Sequence, residues 1–209
     1  MYTSTMTPDE LANEFSKDFE ETALFYDAKR KQVNKLLKKS RIFPVYIKTS
    51  FKSKRGNNWI ILIHGKNNKQ TIDDCNVTIF SHFDCGSGRY AIIQFISDDE
   101  PFFIMFTPHF FKRYAERANI HLTGVDLIRR YFKKNGMYGF ESDTESFGNL
   151  YKRNMYGSSE EGIAMGVLLP SKTKIILFRT FITYDMCKGK QIDDFARTEA
   201  IRKEMHSDD

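Results

Sequence analysis

Residues 90–120, YAIIQFISDDEPFFIMFTPHFFKRYAERANI, decide the fold, because two strand patterns and a helix start follow one another with short turns between them. Residues 90–95 and 102–106 are apolar runs rich in β-branched and aromatic side chains, which is typical of strands. Thr107-Pro108 then has the N-cap and first-turn residues of a helix. Spacing this short favours antiparallel pairing over βαβ units.

The same alternation of strands and turns continues toward the N-terminus. Residues 45–47, 59–63 and 77–80 have strand patterns, and a Gly-Asn-Asn turn at 56–58 joins the first two. Before them, Thr7 and Glu10 form the signature of a helix N-terminus, with Pro8 in the first turn. The stripe that contains Leu11, Phe15 and Phe19 predicts one long helix to about Lys39, or two helices with a break near Asp27.

Toward the C-terminus the sequence predicts a second central helix, from Thr123 to Gly136. Residues 137–160 are rich in Gly, Ser and Asn and indicate a long loop. Strands at 162–169 and 174–184 would form a closing hairpin that turns at Pro170, and a helix would span 193–205.

Together these elements predict an α+β protein. Its antiparallel sheet has five to seven strands, with a long N-terminal helix, two central helices and a C-terminal helix packed mainly against one face. Residues 1–40 would be a helical extension and 41–209 a single domain.

Composition excludes several classes of protein. The chain has 209 residues, 41% of them hydrophobic, which is enough for a core and argues against disorder. No apolar run approaches the roughly 20 residues that span a bilayer, and the N-terminus lacks a signal pattern, so we expect no membrane association. The odd, scattered Cys75, Cys85 and Cys187 favour a reducing compartment, so we expect the protein in the cytoplasm. His82 and Cys85 have metal-ligand spacing but no second ligand pair, so we expect neither metal nor cofactor.

Positive charge is concentrated in one segment of the chain. No acidic residue lies between Asp27 and Asp73, whereas thirteen Lys and Arg do, and the net charge is +5. Such a segment attracts polyanions, of which nucleic acid is the usual one. Alternatively, it is a solvated surface whose acidic partners lie elsewhere in the fold. The candidate phosphate-binding side chains are Lys35, Lys38, Lys39, Arg41, Arg129, Arg130, Lys133 and Lys134.

The helix that begins at Pro108 carries a polar stripe that could do chemistry. His109, Arg113, Glu116 and Arg117 share one face of the helical wheel, opposite an apolar face that includes Tyr114. The first turn of a helix disfavours positive charge, so the imidazole of His109 would be neutral and able to act as a general base beside fixed cations. Ordinary solvated helix surface is the alternative.

The segment Thr107-Pro-His109-Phe-Phe-Lys-Arg113-Tyr-Ala-Glu-Arg117-Ala-Asn-Ile120 resembles the His/Arg helix of the barnase–EndoU–colicin–RelE superfamily of metal-independent ribonuclease toxins. The resemblance implies RNA cleavage through attack of the 2′-hydroxyl, with RNA rather than DNA as the partner. It also implies that the last strand brings Thr180 and Tyr184 to the scissile phosphate, where His109, Arg113 and Arg117 would act.

Two non-catalytic hypotheses stay open beside this one. In the first, the chain binds nucleic acid through its basic surface, with exposed Tyr side chains stacking on bases. In the second, it is an accessory protein that contacts a protein partner through its long N-terminal helix. The sequence leaves the oligomeric state undetermined.

Overall fold

The computed structural model describes residues 1–95, 102–147, 150–187 and 200. Within them lie three helices and nine strands, which form one mixed sheet in the order β1-β2-β3-β4-β5-β9-β8-β7-β6. The helices are α1 (Pro8–Lys39), α2 (Pro108–Arg117) and α3 (Gly124–Lys134). The strands are β1 (Val45–Lys52), β2 (Asn58–Gly65), β3 (Asn76–Asp84), β4 (Arg89–Phe95), β5 (Phe102–Phe106), β6 (Gly139–Phe147), β7 (Leu150–Ser159), β8 (Gly162–Leu168) and β9 (Ile175–Ile182).

The sheet consists of two antiparallel meanders joined by one parallel pair. Strands β1 to β5 run in sequence order, as predicted. After α2 and α3, the chain enters the far edge of the sheet at β6 and returns to the middle, where β9 pairs with β5 in parallel. The prediction of α+β architecture is confirmed, but the sheet is larger than the five to seven strands expected and is mixed rather than antiparallel.

The extra strands come from residues 137–160, whose prediction as a long loop is wrong. They form the β6–β7 hairpin, with Gly139 opposite Ser158. Small residues there serve packing, because a Cβ at Gly157 would lie 2.9 Å from the ring of Phe178. From the sequence alone, a glycine that makes room for a neighbouring aromatic ring in a sheet cannot be distinguished from a glycine in a loop.

Helices cover both faces of the sheet, which corrects the prediction that they pack mainly on one. All five residues of β5 are buried. Phe103 and Met105 face α1, whereas Ile104 and Phe106 belong to the cluster under α2 and α3. Alternating side chains of a strand point to opposite faces, so a strand this apolar needs cover on both.

Helix α1 is continuous and has the predicted capping box at Thr7 and Glu10. Leu11 and Phe15 are buried as expected, but Phe19 is 38% exposed, so the predicted stripe is wrong at its third position. Asp18 is buried instead and accepts hydrogen bonds from the side chains of Asn57 (2.8 Å) and Trp59 (3.1 Å). At this position of α1, the side that faces the sheet therefore carries a carboxylate and not the aromatic ring that the hydrophobic pattern selects.

Two further findings concern the helices. The predicted helix at 193–205 falls outside the described residues, apart from Ala200. Among the helices that are described, none combines the length and the apolar character that a transmembrane segment requires.

Candidate nucleic-acid interface

Helix α2 has the two faces that its sequence predicts. Phe110 and Tyr114 are fully buried, and His109 is exposed. The Nε of Arg113 donates to Nε2 of His109 (3.3 Å), and its Nη1 donates to Glu116 (2.8 Å). Arg113 therefore links the imidazole of His109 to the carboxylate of Glu116 along the exposed side of the helix.

Arg117 has a structural role at the junction of α2 and β9. The β5–β9 ladder ends at the pair Phe106–Phe178, and α2 takes the place of β5 beside the rest of β9. Arg117 Nη1 donates there to Oγ1 of Thr180 (3.2 Å) and to the carbonyl of Phe181. A backbone acceptor beyond the end of a ladder needs such a donor, so the structure brings Arg117 and Thr180 together for a reason that requires no ligand.

Tyr184 does not lie on the final strand, which corrects that prediction. Strand β9 ends at Ile182, and Tyr184 begins a short 3₁₀ turn. Its hydroxyl donates to the carbonyl of Ser159 (2.6 Å), and its ring packs beside Ile163. Tyr184 therefore fixes the chain after β9 to the β7–β8 turn.

Part of the acid-free segment is neutralised by acids from elsewhere in the fold. Arg30 forms ion pairs with Asp27 and Asp73, and Arg55 forms them with the buried Glu14 and Asp18. The hydrogen bond from Arg55 lowers the pKa of Glu14 to about 2. For these two arginines the alternative is correct: their charges are paired with acidic side chains of the same chain.

At the end of α1 the cations form a cleft of about 680 Å³. The described residues that line it are basic or neutral: Lys38, Lys39, Ser40, Arg41, Phe43, Lys66, Asn67 and Asn68. Lys35, one helical turn before Lys39, is exposed on the same helix. The structure thus adds Lys66 to three of the residues that the sequence selected.

A second concave surface, the α3 groove, lies between α3 and strands β1–β3. It consists of two adjoining clefts of about 200 and 370 Å³ that share Tyr46, Leu62 and Lys133. Tyr46 and His64 are directly opposite each other in the β1–β2 register, and their rings stack 4.5 Å apart with 7° between the planes. The Lys133 ammonium stands 4.2 Å from the centroid of the Tyr46 ring.

The four predicted cations of α3 differ in what holds them. Arg130 donates to Glu161 and to the hydroxyl of Tyr114, which ties α3 to α2 and to the β7–β8 turn. Arg129 pairs with Asp126 within the helix (2.8 Å), and Lys134 pairs with Glu160 (3.4 Å). Lys133 is exposed and rests on an aromatic ring, so it is the cation best able to turn toward a ligand.

The cleft and the groove lie within reach of each other's electric field. His64 lines the groove together with Lys133, and Lys66, two residues after His64, lines the cleft. Burial lowers the pKa of His64, Lys66 lowers it further, and Glu160 acts against Lys133 and Lys134. We call the combined surface the basic track: Lys38, Lys39, Arg41, Lys66, Lys48, Arg129, Lys133 and Lys134, with Tyr46 and His64.

Sequence reasoning missed Tyr46 and His64 as site residues, and it placed Lys48 and Lys66 in the acid-free segment without selecting them as phosphate-binding candidates. A signal was present, because the turn at 53–57 sets the β1–β2 register and the register places Tyr46 beside His64. Comparison of the chain with protein-family models, with curated proteins and with solved structures found no match. In the described part of the chain, no group of three or more His, Cys, Asp or Glu is placed to hold a metal ion.

Proposed function

We propose that this protein binds nucleic acid through the basic track. The observation that carries the proposal is the cleft at the end of α1, where Lys38, Lys39 and Arg41 gather around one concave surface. Lysine and arginine in such a cleft release the counterions of a phosphate chain, which is the main source of affinity in sequence-independent binding. We take RNA as the first ligand, because residues 107–120 resemble a ribonuclease helix.

A charge-matched pair of variants tests the proposal. Lys38→Gln, Lys39→Gln and Arg41→Gln together remove three cations from the track, whereas Lys17→Gln, Lys54→Gln and Lys172→Gln remove three exposed cations from elsewhere. We expect wild-type affinity for single-stranded RNA to fall steeply with salt. In the first variant the slope of log K against log salt should fall by about 2, at roughly 0.7 for each lost phosphate contact.

The control variant has the same net charge, so it separates the track from general electrostatic attraction. We expect it to keep most of the wild-type slope. Binding that is insensitive to salt, or an equal loss of slope in both variants, would contradict the proposal.

A second candidate function is RNA cleavage at His109, favoured by the exposure of its imidazole on α2 and by the hydrogen bond that Arg113 donates to it. We propose that Arg113 turns from Nε2 of His109 to the phosphate, so that Nε2 can take the proton of a ribose 2′-hydroxyl. The 2′-oxygen then attacks phosphorus, and the 5′-oxygen leaves with a proton from water. Arg113, 3.3 Å from the imidazole, would stabilise the charge on the phosphoryl oxygens.

Incubating RNA with the protein in EDTA tests this candidate. We expect cleavage by the wild type and a 10²–10⁴-fold slower reaction with His109→Ala, the usual cost of losing a general base. Lys112→Ala, at the neighbouring exposed position, is the control and should cleave normally. If the wild type leaves RNA intact in EDTA, the catalytic candidate fails, and the binding proposal is judged by its own test.

A further inference from the structure

The smaller cleft of the α3 groove, of about 200 Å³, has the features of a pocket for one flat ring. Tyr46 lies on the edge strand β1, which has a neighbouring strand on one side. Its half-buried ring continues into an apolar wall formed by Leu62, Val77 and Met137. We infer that this pocket holds one unpaired nucleobase stacked on Tyr46, with the adjacent phosphate on Lys133, so that the ligand is single-stranded. This inference rests on the proposed nucleic-acid binding.

Lys133 explains how the ring becomes available. In the free protein its ammonium stands over Tyr46, 4.2 Å from the ring centroid, and its side chain is exposed. A cation–π contact at an exposed site is weak. A phosphate is a stronger partner, so the ammonium moves to it and leaves its place over the ring to a base.

The polar groups of the pocket are weakly used in the free protein. The side-chain amide of Asn76 donates to the sulfur of Met137 at 3.7 Å, and a thioether is a poor acceptor. His64 Nε2 is shielded from solvent and has no hydrogen-bond partner among the described residues. Asn76 can therefore exchange its partner for the edge of a base at little cost.

A base pair does not fit this arrangement. In a duplex both faces of a base are covered by its neighbours, and the grooves of A-form RNA offer side chains little access to base faces. A single strand can turn one base into the pocket while its phosphates follow the cations of the track.

Binding of three labelled 12-mers at constant salt tests the inference: single-stranded RNA, a blunt duplex, and an abasic strand with the same phosphates. We expect the wild type to prefer the single strand to the duplex. Tyr46→Ala should weaken single-strand binding roughly tenfold, the effect of losing one base–aromatic stack, and leave abasic-strand binding unchanged. Phe19→Ala, an exposed aromatic on α1 across the sheet, is the control and should bind all three like the wild type.

A crosslinking measurement on the wild-type protein tests the same pocket even if Tyr46→Ala does not fold. Single-stranded RNA that carries 5-bromouridine should, on irradiation, form an adduct at Tyr46. Adducts only at other residues, equal wild-type affinity for single strand and duplex, or an equal loss on the abasic strand would overturn the base pocket. Salt-dependent binding of all three strands would then leave the proposed function standing, whereas failure of every strand to bind would end both.

Discussion

At the residue scale, Arg130 and Lys133 of α3 have different roles, the first structural and the second at the surface. Arg130 forms short, bidentate hydrogen bonds to Glu161, which also accepts from Tyr114 (2.6 Å) and Asn135 (2.8 Å). A planar guanidinium matches a carboxylate in this way, whereas a lysine ammonium is a mobile point charge. Arg130 therefore builds the α2–α3 contact, and Lys133, three residues later, remains at the surface for an anion.

His82 gives a prediction at this scale, because it is a buried histidine beside a cation. Burial and, to a lesser extent, Arg89, whose Nη1 lies 3.4 Å from Nδ1, together lower its pKa to about 4. The unfolded chain takes up a proton near pH 6.5 and the folded protein does not. Stability should therefore fall as the pH drops below 6.5, by about 2 kcal/mol at pH 5 from this group alone.

Urea unfolding at pH 7 and pH 5 measures this loss. In His82→Asn the loss between the two pH values should be smaller by about that amount, although the variant starts from a lower stability at pH 7. His64, whose pKa burial also lowers, contributes in the same direction and stays in both proteins. An identical pH dependence in the two proteins would show that folding leaves the pKa of His82 unchanged.

At the element scale, the sequence predicts those elements whose pattern is set locally. The capping box at Thr7, the strands at 90–95 and 102–106 and the two faces of α2 follow from neighbouring residues, and the structure confirms them. The β6–β7 hairpin could not be recognised, because Gly157 is required by Phe178 on β9, a contact that no local pattern contains. The exposure of Phe19 likewise depends on Asp18 reaching the β1–β2 turn.

In the candidate site, too, some features are set by neighbouring residues and others by tertiary contacts. The stripe of His109, Arg113 and Glu116 was predictable, since one helix presents all three. The role of Arg117 was not, because it depends on where β5 ends beside β9. Lys66 approaches Lys38 only because the β2 strand returns to the end of α1, and that pairing is tertiary.

At the scale of the whole molecule, the sheet is the middle of three layers, and β5 connects the two cores. Its alternate residues reach the cluster under α1 and the cluster under α2 and α3. Phe15 of α1 contacts both Trp59 (4.5 Å between ring centroids) and Phe103 (5.5 Å). Residues 1–40 thus supply part of the core. A helical extension attached to a separate domain at 41–209 would not need to do so.

Phe15→Ala distinguishes a shared core from an attached helix. Phe15 is 1% exposed, so truncation should cost about 3–5 kcal/mol, and it should do so in one cooperative transition if the three layers fold together. Fluorescence of Trp59, the single tryptophan, reports the α1 face. Circular dichroism at about 275 nm reports mainly the buried tyrosines, of which Tyr114, Tyr131 and Tyr138 lie under α2 and α3 and Tyr2 lies under α1. The two signals should shift together in urea, whereas Phe19→Ala, at an exposed position, should shift neither by more than about 1 kcal/mol. If the Trp59 signal moves and the tyrosine signal keeps its wild-type midpoint, α1 unfolds by itself, and the boundary near residue 40 is a true domain limit.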